Sequence, residues 1–243
     1  MTCELVALGI DANDPAALAR FWGGVLGREV EHAGHGEAVL QADAGAGFAV
    51  RFAPTSAPKV GPNQMHFDLA STSADDQAAT VARALDLGAS HLDVGQLPRE
   101  EHVVLADPEG NEFCVIEAGN GFLAGTPRIG CLSSDGSPRL GRFWSEALGW
   151  PLVWDQDEET AIQSAGGGSK ISWGGPPYAV RSGAQRWRWH VAPPPGGDQQ
   201  AEVERLLRLG AGRVDGDPGP DGAVTLADPD GNEFRVLPAG ARG

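Results

Sequence analysis

The chain has 243 residues, 41% hydrophobic and 21% charged, with a formal net charge of −15. That apolar fraction is too high for a disordered chain, and no apolar run reaches the roughly 18 residues that a bilayer span needs. The acidic balance lacks the basic stripe that phosphate neutralisation requires, which excludes nucleic acid as a partner. Three cysteines, Cys3, Cys114 and Cys131, form no CxxC and suggest reduced thiols. The opening residues MTCELVALGIDAND carry acids where a secretory leader would be basic, so a cytoplasmic location is expected.

A strand is expected over residues 5–12. Asn13 or Asp14 then caps a helix with Pro15 in its first turn. Leu18, Phe21, Trp22, Val25 and Leu26 recur at helical spacing up to Gly27, where a left-handed C-cap is wanted. Strand-like runs follow at 38–42 and 48–53, with a Gly run at 44–47 that reads as a hairpin. A strand over 65–71 leads into a helix over about 75–87, ended by Gly88, and strands at 102–106 and 112–117 close the first half. Between the last two lies DPEGNEF, Asp107–Phe113, where Pro presets φ and Gly accepts positive φ. Residues 118–128, AGNGFLAGTPR, carry no periodicity. The same grammar then restarts. A strand at 129–134 precedes a helix with Pro138, Leu140, Phe143, Trp144, Ala147 and Leu148, closed by Gly149. A second Gly run, 165–168, again reads as a hairpin. A strand at 187–192 precedes a helix at 198–209, and DPDGNEF recurs at Asp228–Phe234.

The halves align block by block. LARFWGGVLG at 18–27 matches LGRFWSEALG at 140–149, and VARALDLGA at 81–89 matches VERLLRLGA at 203–211, both at an offset of 122. LADPEGNEF at 105–113 matches LADPDGNEF at 226–234 at an offset of 121. The chain therefore reads as two copies of one unit, with domains over 1–119 and 127–243. Strand, helix and several strands, twice per copy, make an α+β pattern rather than alternating βαβ.

These residues carry a resemblance to the vicinal oxygen chelate superfamily, the glyoxalase, bleomycin-resistance and extradiol-dioxygenase group. They are the D-P-x-x-L-x-x-F-W-x-x-x-L-G helix at Asp14–Gly27 with its copy at Ser137–Gly149, the His66-Phe-Asp-Leu and Trp189-His190-Val strands, and the two DPxGNEF turns. The resemblance implies tandem glyoxalase-like domains, with four βαβββ modules forming two half-barrel clefts that hold metal, substrate or drug. Members that bind metal use two His and one or two Glu across the cleft. Here the first-strand position falls on Leu5, Ala7 and Gly9, or near Ile129 and Cys131. The second-module His is kept as His66 and His190, while the last-strand Glu is replaced by Cys114 and Arg235. Each cleft then holds about one ligand, so no metal cofactor is expected; a divalent ion would meet an incomplete set. Glu31, His32, His35 and Glu37 read as a solvated loop or edge strand.

Strand alternation places Gln64, His66 and Asp68 on one face, with Met65, Phe67 and Leu69 toward the helix. With Asp11 taken as the counterpart of Asp68, the first copy is expected to form an acidic cleft. Arg186, Arg188 and His190 would make the second basic. Charge supports that divergence: residues 1–121 hold 6 basic and 18 acidic residues, a net −12, and residues 122–243 hold 12 and 15, a net −3. Trp150, Trp154 and Trp173 have no first-copy counterparts and read either as walls of a small-molecule pocket or as interface filler. The candidate ligand-binding residues are Asp11, His66, Asp68, Trp154, Trp173, Arg188 and His190. No nucleophile is set up, since isolated strand cysteines are usually buried and inert. Two readings remain. One is a metal-independent protein that sequesters a small organic molecule, like bleomycin-resistance proteins, as a monomer with two clefts or a homodimer. The other is a superfamily lyase, isomerase or dioxygenase using His66 or His190.

Overall fold

The computed structural model describes residues 2–42, 48–97, 99–178, 183–215 and 221–241. The Gly run at 44–47 lies outside the described residues. In the first half, β1 (Glu4–Ala12), α1 (Pro15–Leu26), β2 (Val30–His32), β3 (Ala38–Leu40) and β4 (Ala49–Pro54) form one βαβββ module. A second comprises β5 (Met65–Leu69), α2 (Ala74–Asp86), β6 (Ser90–His91), β7 (Val103–Ala106) and β8 (Glu112–Val115). The second half repeats both. Its first module is β9 (Ile129–Ser134), α3 (Pro138–Leu148), β10 (Leu152–Gln156), β11 (Glu159–Gln163) and β12 (Lys170–Trp173). Its second is β13 (Trp187–Ala192), α4 (Gln199–Leu209), β14 (Gly212–Arg213), β15 (Val224–Ala227) and β16 (Glu233–Val236).

Local chemistry sets these boundaries. The Asp14 carboxylate accepts the Ala17 N–H and caps α1, and Gly27 closes it at φ 71°. The DPEGNEF turn does more than reverse the chain. Asp107 is buried and accepts N–H bonds from Glu109, Asn111 and the Trp22 indole. Burial pushes its carboxyl up to about 6, although these bonds oppose the shift. The Glu109 carboxylate takes the N–H groups of Asn13 and Asp14 at 2.9 and 2.8 Å, so the turn clamps the start of α1. In the second copy Asp230 does the same for Ser137, accepting its N–H at 2.7 Å and its hydroxyl at 2.8 Å.

The strands form two eight-stranded sheets. Sheet one runs β14-β15-β16-β13-β1-β4-β3-β2 and sheet two runs β10-β11-β12-β9-β5-β8-β7-β6. At the centre of each, the halves meet edge to edge: β1 pairs antiparallel with β13, and β5 with β9. This pairing corrects the expectation of one cleft per copy. Each sheet takes its outer modules from different copies, so Asp11 lies in sheet one while His66 and Asp68 lie in sheet two. The reason is visible in the core. Trp22 on α1 packs its ring on Phe67 and Phe113, at 5.0 and 4.9 Å, across to sheet two. Trp144 on α3 likewise packs on Phe234 and Trp189 of sheet one. The motif residues that join the modules of one copy thus join sheet to sheet, leaving strand edges to pair with the other copy. One continuous apolar core, holding Trp22, Trp144, Phe67 and Phe234, results.

Candidate functional site

Alternation along β5 buries Met65, Phe67 and Leu69 and turns His66 and Asp68 to the concave face of sheet two. Register then assembles a polar floor. Asp68 stands opposite Cys114 on β8 and Cys131 on β9, while Ser133 stands opposite both His66 and Ser172. His66 Nε2 lies 3.3 Å from Asp68 Oδ1, and the Ser133 hydroxyl donates to the other carboxylate oxygen. Ser172 Oγ is 3.2 Å from both Ser133 Oγ and Cys131 Sγ. Above this floor is a cavity of about 380 Å³, whose lining includes His66, Ser133, Ser172, Phe122, Trp154 and Trp173. Trp154, 40% exposed on edge strand β10, meets the Phe122 ring edge-on at 6.4 Å. Lys170 Nζ sits 4.4 Å from the centre of that same ring and donates to the Phe122 carbonyl.

Burial disfavours a charged His66, but hydrogen bonds to Asp68 and Cys114 outweigh it and push its pKa up to about 10. Burial raises the Cys114 thiol and pushes Cys131 up to about 12. At neutral pH the floor is therefore an imidazolium–carboxylate pair flanked by thiols and hydroxyls.

His66, Asp68 and Cys114 place one donor atom each within 4.8 Å of one another, a grouping that a search for His and Glu alone passes over. Superfamily members that bind a divalent metal would place it here, and in this chain an ion would have to displace the protons that these three side chains share. Asp68 spends both oxygens, on His66 and Ser133, and Cys114 and His66 satisfy each other. On the neighbouring strand, Lys170 is in register with Cys131 and brings an ammonium charge that acts on its thiol.

The concave face of sheet one is different. The Arg188 guanidinium grips Asp11 through two bonds of 2.9 Å, so the expected carboxylate pairing of Asp11 with Asp68 is replaced by a cross-copy ion pair. Beside it His190, 5% exposed, packs against Gly9. Burial, with Arg235, Arg188 and Arg51 around it, pushes His190 down to about 3. Of the remaining candidates, Trp154 edges the sheet-two cavity, while Trp173, 2% exposed, turns mostly into the core. Glu31, His32 and His35 lie exposed along β2 and the loop after it.

A glyoxalase-like domain model matches residues 7–116 and again residues 131–237. The chain belongs to the glyoxalase-like domain family. Solved structures similar to it include glyoxalase I from Zea mays, at 14% identity, TM-score 0.67, covering 98% of this chain and 92% of that one. A proposed dioxygenase from Bacillus subtilis is similar at 16% identity and TM-score 0.65, covering 99% and 86%. At such identities the likeness is one of fold. None of the curated proteins matches the chain. Within this family fold, sequence reasoning placed Cys114 at the last-strand ligand position but missed Ser133, Ser172 and Phe122. The serines were readable, because alternation along 129–134 puts Cys131 and Ser133 on one face. Phe122 sits in the aperiodic seam and gave no signal.

Proposed function

We propose that the chain binds a small, planar organic molecule in the sheet-two cavity without a metal, and holds it without chemical change. The observation that carries this reading is an aromatic-walled cavity over a floor whose histidine and thiols are held away from neutrality. A general base works best with a pKa near the operating pH, and His66 at about 10 and His190 at about 3 both miss it. Cys114 and Cys131 are held as thiols, which are poor nucleophiles. What remains suits binding. Trp154 offers a ring face, and Ser133, Ser172 and the charged His66 offer directional hydrogen bonds. The acidic surface favours ligands that carry positive charge.

The test is calorimetry of chelator-dialysed protein against a panel of planar aromatic compounds, cationic and neutral, with chemical analysis of the recovered compound. Saturable binding that weakens at least about tenfold in Trp154→Ala, with the compound returned intact, is expected. Turnover, or binding that appears only when zinc or nickel is restored, overturns the reading.

A further inference from the structure

The face of sheet one turned away from the core gathers Arg51, Arg188 and Arg235 with His190 around Gly9. In the sheet, Gly9 lies between Arg51 on β4 and Arg188 on β13, and one row along, Ala7 faces His190, which faces Arg235 on β16. A Cβ at Gly9 would stand 2.5 Å from His190 Nε2, so the imidazole occupies the space a side chain would take. Among the described residues, buried His190 Nδ1 has no hydrogen-bond partner, and neither does Arg188 Nε. Native structures rarely leave such atoms unpaired. Arg51 and Arg235 each touch one carboxylate through a single nitrogen, Glu37 at 3.1 Å and Asp221 at 2.6 Å. The side chains of those acids are 29% and 40% exposed, so each can exchange its arginine for water.

We infer that this face is a second ligand site, one for an oxyanion: the carboxylate or phosphate group of a small molecule, received by Arg51, Arg235 and His190, with the Arg188–Asp11 pair beside them. Guanidinium forks match the planar geometry of such groups, and those of Arg51 and Arg235, each using a single nitrogen on its carboxylate, flank one buried imidazole. The positive surroundings that keep His190 neutral are those that favour an incoming anion. Glu37 and Asp221 act as resident counterions that the ligand displaces. The site takes β1 and β4 from one copy and β13 and β16 from the other, so it exists only because the halves pair across.

The experiment follows the ring resonances of histidine-labelled, full-length protein during separate titrations with inorganic phosphate and with succinate, against sodium chloride at matched ionic strength. The His190 signal is expected to move saturably with phosphate, succinate or both, while His66 stays in place; which arm responds identifies the group. Arg51→Gln and Arg235→Gln, checked for folding by circular dichroism, should each weaken the response at least about tenfold. If His190 is unmoved by both anions, moves equally with chloride, or responds as tightly in the folded variants, the inference is overturned.

Discussion

Replacing Asp11 or Arg188 probes the seam that joins the two copies in sheet one. The pair meets through two bonds of 2.9 Å, with side chains 24% and 21% exposed. At that separation two unit charges attract by about 1.4 kcal/mol in water and about 6 kcal/mol at an effective dielectric of 20. Solvent contact and desolvation pull the net value toward the lower figure, so a coupling of about 1–2 kcal/mol is expected for this bidentate pair. Asp11→Asn, Arg188→Gln and the double variant, unfolded in urea, give that coupling as a double-mutant cycle. Asp11→Asn alone should cost more than its share, because it leaves Arg188 facing Arg51 and Arg235 without a counter-charge. The coupling should shrink in high salt. As a control, Asp11→Asn with His66→Gln should be additive, since these residues lie in different sheets. A coupling of zero for Asp11 with Arg188, or strong coupling of Asp11 with His66, would refute the cross-copy pairing.

Gly9→Ala forces a methyl to within 2.5 Å of His190 Nε2 and should cost about 1–3 kcal/mol, read as a lowered melting temperature. An unchanged melting temperature would show that His190 does not seat there. Trp22→Phe removes the 3.1 Å bond to the buried Asp107 and should destabilise by about 1–3 kcal/mol in urea unfolding; a neutral substitution would contradict the clamp. Because His66 rises from 6.5 to about 10 on folding, its contribution is complete below pH 6.5 and is lost as pH rises through about 10. Stability should therefore fall across that window, and Asp68→Asn should flatten the fall. Histidine NMR at neutral pH should find His66 charged and His190 neutral; equal titration near 6.5 would refute both assignments.

The elements were legible because their determinants are local. The Asp14 cap, Gly27 and Gly149 in the left-handed region, and the Pro–Gly turns each act within a few residues. The partner of β1 was not legible. Leu8 and Ile10 bury the same face whether β1 lies beside β5 or β13, so alternation cannot choose between them. That ambiguity is why Asp11 was grouped with Asp68 rather than Arg188. In the site, the resemblance marked His66, and alternation put Asp68 on the same face. Arg51 was passed over because an isolated arginine on a strand looks like ordinary surface until Arg188 and Arg235 converge beside it.

The most direct test of the central claim, a metal-independent ligand cavity on sheet two, is a titration of chelator-treated protein followed at the His66 ring and the Trp154 indole. The account predicts that one planar compound shifts both signals along a single saturation curve with no metal present. Shifts that require added zinc or nickel, or saturable binding that leaves both signals in place, would contradict it.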